Sequence, residues 1–306
     1  MQTRLPEQTA PVSSDLAGEF HNFEEISRFL DLSPGVIPRL PGVDIHGFSM
    51  PLRGRIGGDH ILYIDFNQRF DLDSRLRDAE REGRDTVLQQ LYKCRERAGI
   101  LVADVSGHRM TDAMIAAMLH QAFLLGVYYE LEIFGEITTK VFEHINERFY
   151  RTSNLNKYFT MIYGEISTRG RFRFITAGHH PPAVFSRERE QFVSIGKNRR
   201  VSSIPVGMLP SAKDPDAQRH PSAEGHKKLY EVNEIDLLGG GDILLLYTDG
   251  FSEHAQGSYF PDEPERVLAA HKDDSAEKIC LRLRESMIAR APQQDDASVV
   301  VVKYTP

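Results

Sequence analysis

Four short acidic motifs stand out along the 306-residue chain: Gly57-Gly58-Asp59, Asp104-Val105-Ser106-Gly107-His108, Thr248-Asp249-Gly250 and Asp295-Asp296. In three of them an apolar, β-branched run delivers the carboxylate: GILVA leads into Asp104, ILLLYT into Asp249, and SVVVV leaves Asp296. Carboxylates that emerge together from strand ends repel one another unless cations neutralise them. Oxygen-only ligands favour Mg2+ or Mn2+ over zinc. Two such ions about 3.5–4 Å apart lower the pKa of a bridging water and clamp phosphoryl oxygens for in-line attack. Singly, each motif has a plainer reading: Asp104 as a helix cap, Asp249-Gly250 as a turn, Asp295-Asp296 as a surface loop.

The elements that must position these acids are legible as runs of β-branched and aromatic residues: VDIHGFSM, GILVADV, YFTMIYGEIS, RFRFITAG, ILLLYT and SVVVVKY. Two helical blocks separate them. Residues 113–127 are nearly all apolar, and in 137–149 Ile137, Val141, Ile145 and Phe149 recur every four positions. A third helix is expected over 276–288. Sheets with segregated helices, rather than regular βαβ repeats, predict a layered α+β domain.

Residues 1–42 fall outside this pattern. The first 18 are polar and without periodicity, which predicts a mobile tail. Asn22 and Glu25 have the spacing of a capping box, with Phe23, Ile26, Phe29 and Leu30 on one face of a short leading helix that Pro34-Gly35 stops. The expected catalytic domain is 43–306. Within it, 67–97 is distinct: 15 of its 31 residues are charged, and Asp71/Arg75, Asp73/Arg77 and Glu80/Arg84 place acid four positions before base. An exposed helical insertion is expected there, either a solvated excursion or a regulatory or dimer contact. Residues 211–228 read as a loop.

A net charge of −7 argues against broad nucleic-acid binding. Cys94 and Cys280 are too few for a disulfide framework and lack the spacing of a zinc site. No uninterrupted run of 18 apolar residues occurs, and the first residues have no apolar signal core, so a cytoplasmic setting without membrane attachment is expected.

Read together and in order, GGD, DVSGH, TAGHHPP (176–182), LLLYTDG with Ser252-Glu253, and QQDDASVVVV resemble the PPM-type metal-dependent serine/threonine protein phosphatases, in particular the bacterial sporulation stage II protein E branch. The resemblance runs from about Val43 to Tyr304. It implies a sandwich of two mostly antiparallel sheets flanked by helices, α-β-β-α, with a site for two divalent cations, Mn2+ or Mg2+, at one end. It implies that Asp104 bridges both metals, that the Val105 carbonyl is a ligand, that Asp249 and Asp295 are direct ligands, that Asp59 acts through metal-bound water, and that Asp296 stands back from the ions. Metal-activated hydroxide would then attack the phosphoester, without a covalent intermediate.

Three departures from the family pattern bear on this. DVSGHR carries Arg109 where a glycine is usual, which reduces backbone freedom and offers a phosphate-binding cation. TAGHHPP places His180 where an amide is usual; it either tunes local protonation or is structural. Asp59 and Asp104 are 104 − 59 = 45 positions apart, longer than usual, and the charged insertion accounts for the excess. His108 is the candidate general acid, although Ser106 stands where some members carry theirs. Arg55 is the candidate phosphate-binding arginine, with Arg53 an equal alternative. Adjacent His179 and His180 on a strand point to opposite faces and so do not suit one common ion.

By the same resemblance the substrate is a phosphorylated protein, such as an anti-sigma factor antagonist, and 110–149 is the segment expected to act as a switch. The main alternative is a catalytically silent phosphatase-like module that binds partners. A Gly-Gly-Asp nucleotide enzyme is disfavoured because Asp249 and Asp295 would have no work in it and no Gly-x-x-x-x-Gly-Lys loop occurs.

Overall fold

The computed structural model describes residues 18, 19, 21–23, 25, 37–53, 57–106, 110–152, 158–194, 201–212, 222, 224–237 and 239–306. In chain order the elements are β1 (Val43–Met50), β2 (His60–Asp65), α1 (Phe66–Arg69), α2 (Leu72–Arg81), α3 (Asp85–Cys94), β3 (Arg97–Val105), α4 (Met110–Ile133), α5 (Thr139–Thr152), β4 (Phe159–Ser167), β5 (Arg171–Ala177), β6 (Ala183–Ser186), β7 (Gln191–Val193), β8 (Asn233–Asp236), β9 (Ile243–Tyr247), α6 (Asp249–Ser252), α7 (Asp262–His271), α8 (Ala276–Arg290) and β10 (Ala297–Tyr304). They form two five-stranded sheets, ordered β1-β10-β9-β6-β7 and β2-β3-β4-β5-β8. Every strand pair is antiparallel.

The central strands are apolar without alternation because both of their faces are covered. In β10, Val300 and Val302 enter the core between the sheets, while Val299 and Val301 pack beneath α8 against Ile279, Leu283 and Met287. In β3, Ile100 and Val102 face the other sheet, and Leu101, Ala103 and Val105 face the helices. The result is the α-β-β-α layering that the sequence predicts. α4 lays Ala116, Leu119, Phe123, Val127 and Leu131 on the second sheet, a spacing of three or four that keeps them on one helical face. α5 packs beside it through Val141, Phe142, Ile145 and Phe149.

Several expectations need correction. Gly18, Glu19 and His21 are already helical, so Asn22 lies inside a helix and does not cap it; Ile26, Phe29 and Leu30 lie outside the described residues. Strands β2, β6, β7 and β8 and helix α7 were not anticipated. The span Thr111–Ile133 is long and apolar enough to cross a membrane by length and composition alone, although its inner face is packed on the sheet. On its outer face Met114, Met118, Leu125, Tyr129 and Ile133 are each about half exposed.

The charged segment is helical but is not simply a solvated excursion. Leu72, Leu76, Ala79, Val87, Leu91 and Cys94 from α2 and α3 are buried in the same core as α4. Its ion pairs also differ from the expected i,i+4 set. Asp71 caps α2 by accepting from the Ser74 N–H at 2.8 Å, which leaves Arg75 to reach Glu132 of α4 at 2.5 Å and to lie 4.8 Å above the Tyr128 ring. Asp73 pairs with Arg95, and Arg84 pairs with Glu82 while donating to the Glu132 carbonyl. Arg75 and Arg84 thus reach across the packing seam to α4, and Asp73 reaches the end of α3, rather than pairing along their own helix.

Truncating Leu91→Ala should therefore lower unfolding free energy by about 2–4 kcal/mol in urea titrations. Arg77→Ala, exposed on the same segment, should stay within about 0.5 kcal/mol of the parent. Equal, small effects of both would show that the segment contributes nothing to the core.

Candidate metal and phosphoester site

The four acidic motifs meet at one end of the sandwich. Asp59 immediately precedes β2, and Asp104 is the penultimate residue of β3. His60 pairs with Ala103, so the antiparallel register brings Asp59 beside Asp104. In the other sheet β9 ends at Tyr247 opposite Val299, which brings Thr248 and Asp249 against the start of β10 and its preceding Asp295 and Asp296.

Thr248 ties the two sheets together at this end. Its hydroxyl donates to Asp59 Oδ2 at 2.7 Å and accepts from the Ser298 N–H at 2.9 Å. Nothing in the sequence marked Thr248 beyond its place before Asp249. Asp296 is committed to backbone: Oδ1 accepts from the Leu52 N–H at 2.6 Å and Oδ2 from the Gly58 N–H at 2.7 Å. The approach is close enough to demand glycine. A Cβ on Gly57 would lie 2.3 Å from Asp296 Oδ2, and one on Gly250 would lie 1.9 Å from the Asp296 carbonyl oxygen.

The remaining carboxylates are crowded and desolvated. Burial, then the Asp104 charge, raises the Asp59 pKa well above its ordinary value, and Asp59 Oδ1 is buried with no hydrogen-bond partner. Asp104 rises from 3.8 to about 7 through burial, then through Asp249, Asp295 and Asp296. Asp249 rises through burial and Asp295, an effect opposed by His180 and by the Gly250 N–H. The two carboxyls also act on each other: their side-chain contact raises Asp104 and lowers Asp249, so their titrations are linked. Asp295 Oδ1 accepts from the Asp296 N–H at 2.7 Å.

Among the described residues no group of three or more His, Cys, Asp or Glu side chains is already closed around a metal-sized point. The fit to hard cations rests on three other features: an all-oxygen donor set, the orphaned Asp59 oxygen, and neighbouring carboxyls whose ionisation burial and mutual repulsion oppose. A cleft of about 460 Å3 opens beside Asp249 and Asp295, bounded further by Glu253, Gln256 and Gln294. It is roomy enough for a phosphoester and part of a chain.

The other candidates are placed unevenly. Val105 is the buried last residue of β3, its N–H directed to the Gly58 carbonyl at 3.4 Å. His108, Arg109 and Arg55 lie outside the described residues; Arg53 is exposed. The Ser106 hydroxyl donates to the Tyr158 carbonyl. His179 and His180 do diverge: His179 Nδ1 lies 2.8 Å from Thr160 Oγ1, whereas His180 stacks on Tyr247 and approaches Ser252 Oγ at 3.4 Å. His180 is thus near enough to Asp249 to favour its ionised form, a neighbourhood the sequence left open. A second imidazole pair, His60 and His120, sits just behind Asp59 and had not been singled out; burial lowers His60 to about 3 and His120 to about 4, so both are neutral.

These shifts have a sign. Asp104 has a higher pKa folded than unfolded, so the native metal-free state binds more protons and stability falls as pH rises from about 4 through about 7. Thermal melts in chelator should show that fall. Asp104→Asn should flatten it and add on the order of 2 kcal/mol at pH 8. A wild-type profile that rises across this window would remove the repulsion argument.

Comparison with known proteins places this geometry. The SiaA-PP2C domain of Pseudomonas aeruginosa superposes with a TM-score of 0.65 at 13% identity, covering 97% of this chain and 100% of that one. RsbX in complex with magnesium gives a TM-score of 0.51 at 13% identity, covering 86% and 96%. Both show the shared fold. In sequence, phosphoserine phosphatase RsbP of Bacillus subtilis (strain 168) is 26% identical over 210 residues, 67% of this chain. The chain spans 45% of the length of that relative. The family model described as stage II sporulation protein E (SpoIIE) matches residues 95–305, from the start of β3 to the end of β10 and so through three of the four acidic motifs. A match across most of the chain, on the same sandwich and the same carboxylate end, makes this protein a member of the SpoIIE family.

Proposed function

We propose that the chain hydrolyses phosphoserine or phosphothreonine esters on a protein, as a metal-dependent phosphatase of bacterial signalling. The observation that carries this reading is the cluster itself: buried Asp59 with the half-buried Asp104 and Asp249, all three with raised pKa values, beside Asp295 at one end of a PP2C-type sandwich. No purely structural purpose accounts for so much uncompensated repulsion. Asp104, Asp249 and Asp295, with the Val105 carbonyl, would hold two divalent cations, Mn2+ or Mg2+, and Asp59 would assist from behind. Bound cations supply the positive charge that lets these carboxylates ionise together, activates water near neutral pH and neutralises the phosphoryl oxygens.

The protein's own contribution is placement. Thr248 fixes one oxygen of Asp59 and leaves the other directed at the site. Asp296 accepts from the Leu52 and Gly58 N–H groups, the latter one residue from Asp59, which keeps Asp59 next to Asp104. The phosphoester would enter along the 460 Å3 cleft, where the Gln256 and Gln294 amides are neutral and Glu253 adds to the negative charge that bound cations would have to offset. His108 as general acid, and Arg55 and Arg109 as phosphate-binding cations, complete the proposal from sequence. The similarity to RsbP supports a phosphoserine protein as substrate, of which an anti-sigma factor antagonist is the proposed example.

Phosphate release from a phosphoserine peptide should depend on Mn2+ or Mg2+ and vanish in chelator. Asp104→Asn and Asp249→Asn should each fall to the chelator-treated level while melting no lower than the parent without metal. Near-normal turnover in both variants would sink the assignment. Absent release together with absent Mn2+ binding in calorimetry would favour the silent partner-binding module.

A further inference from the structure

We propose that His120 is a positioning residue for the cation site: from α4 it pins the end of β2, and thereby Asp59, through a hydrogen bond to His60. This rests on the cation-binding reading of the carboxylate cluster and extends it to a side chain outside every acidic motif.

β2 is an edge strand, bonded only to β3. The last rung of that ladder before the carboxylates is His60 opposite Ala103, one residue from both Asp59 and Asp104. The end of an edge strand frays unless something beyond the ladder holds it. Besides the bond from the Val105 N–H to the Gly58 carbonyl at 3.4 Å, three side-chain contacts hold this one, each from a different direction. Thr248 reaches Asp59 from the opposite sheet at 2.7 Å, and Asp296 holds the Gly58 N–H at 2.7 Å. The third comes from the helix layer, where His120 Nδ1 lies 3.0 Å from His60 Nε2 with the ring centroids 5.1 Å apart. Successive residues on a strand point to opposite faces, so while Asp59 turns toward Thr248, His60 turns toward α4.

The geometry suits a fixed joint. Both rings are almost wholly buried, His60 at 2% and His120 at 8% exposure. Between neutral imidazoles one nitrogen donates and the other accepts, and loss of the His120 ring removes this partner from the buried His60 Nε2. α4 follows directly on β3, so it is tied to Asp104 along the chain and to Asp59 through this pair. The charge of Arg69, from α1 of the helical segment, also reaches His120. The Asp59 strand and the long helix thus meet at His120, with the charge of the inserted segment close by.

The test uses the full chain, Mn2+ titrated by calorimetry, and melting in chelator. His120→Leu should bind Mn2+ about tenfold more weakly, the usual lower bound for removing a group that orients a metal ligand. The Mn2+ concentration giving half-maximal turnover should rise by the same factor, with kcat at saturating Mn2+ little changed. His120→Asn, which keeps a polar atom near the ring Nδ1 position, should restore most of the affinity. The double variant His60→Leu/His120→Leu, which removes the whole joint, should be as weak for Mn2+ as His120→Leu. A lowered melting temperature with unchanged Mn2+ affinity in both Leu variants would overturn the inference while leaving the phosphatase reading intact. A parent chain that binds no Mn2+ would overturn both.

Discussion

Mutual repulsion among desolvated carboxylates is the constraint around which this molecule is arranged. Asp59, Asp104 and Asp249 all resist ionisation because burial removes water and each sits near another acid. Left alone, such a cluster would push its strands apart or take up protons. The two sheets hold it closed because the strands that deliver the acids are also the strands that build the core: β3 and β10 are buried on both faces along nearly their whole length.

The polar braces at this end follow from the same tension. Two sheets packed face to face share no backbone hydrogen bonds, so their relative position at the rim depends on side chains. Thr248 supplies a sheet-to-sheet hydrogen bond that reaches Asp59, and its second bond, from the Ser298 N–H, locks the hydroxyl to the strand that follows Asp296. Asp296 is an acid turned into a brace. Both its oxygens accept backbone N–H groups, and it sits so close to Gly57 that a Cβ there has no room. Adjacent residues, Asp295 and Asp296, thus serve different ends.

The helix layer on the β2–β3 side is more than a cover. α4 continues from the Asp104 strand, shares a core with α2, α3 and α5, and touches the Asp59 strand through the His60 and His120 rings. Arg75 and Arg84 fasten the inserted helices to Glu132 near the far end of α4. A displacement of this helix relative to the sheet would be felt at both Asp59 and Asp104. The half-exposed outer face of the same helix leaves it less constrained on the side away from the sheet.

By itself the sequence determined the layered α+β class, six of the ten strands, the long helices and the acidic motifs, because those signals are local. A β-branched run announces a strand, a four-residue recurrence announces a helix face, and an aspartate after an apolar run announces a strand end. Only the tertiary structure decided which acids stand next to which, since that depends on register between strands far apart in the chain, such as His60 with Ala103. It likewise decided that Asp296 is a brace, that Thr248 joins the sheets, that the charged helices belong to the core, and that His120 meets His60. Each of these is a contact between residues whose separation in sequence is dozens of positions or more. Composition and spacing carry no information about such contacts until packing brings the partners within a few ångströms.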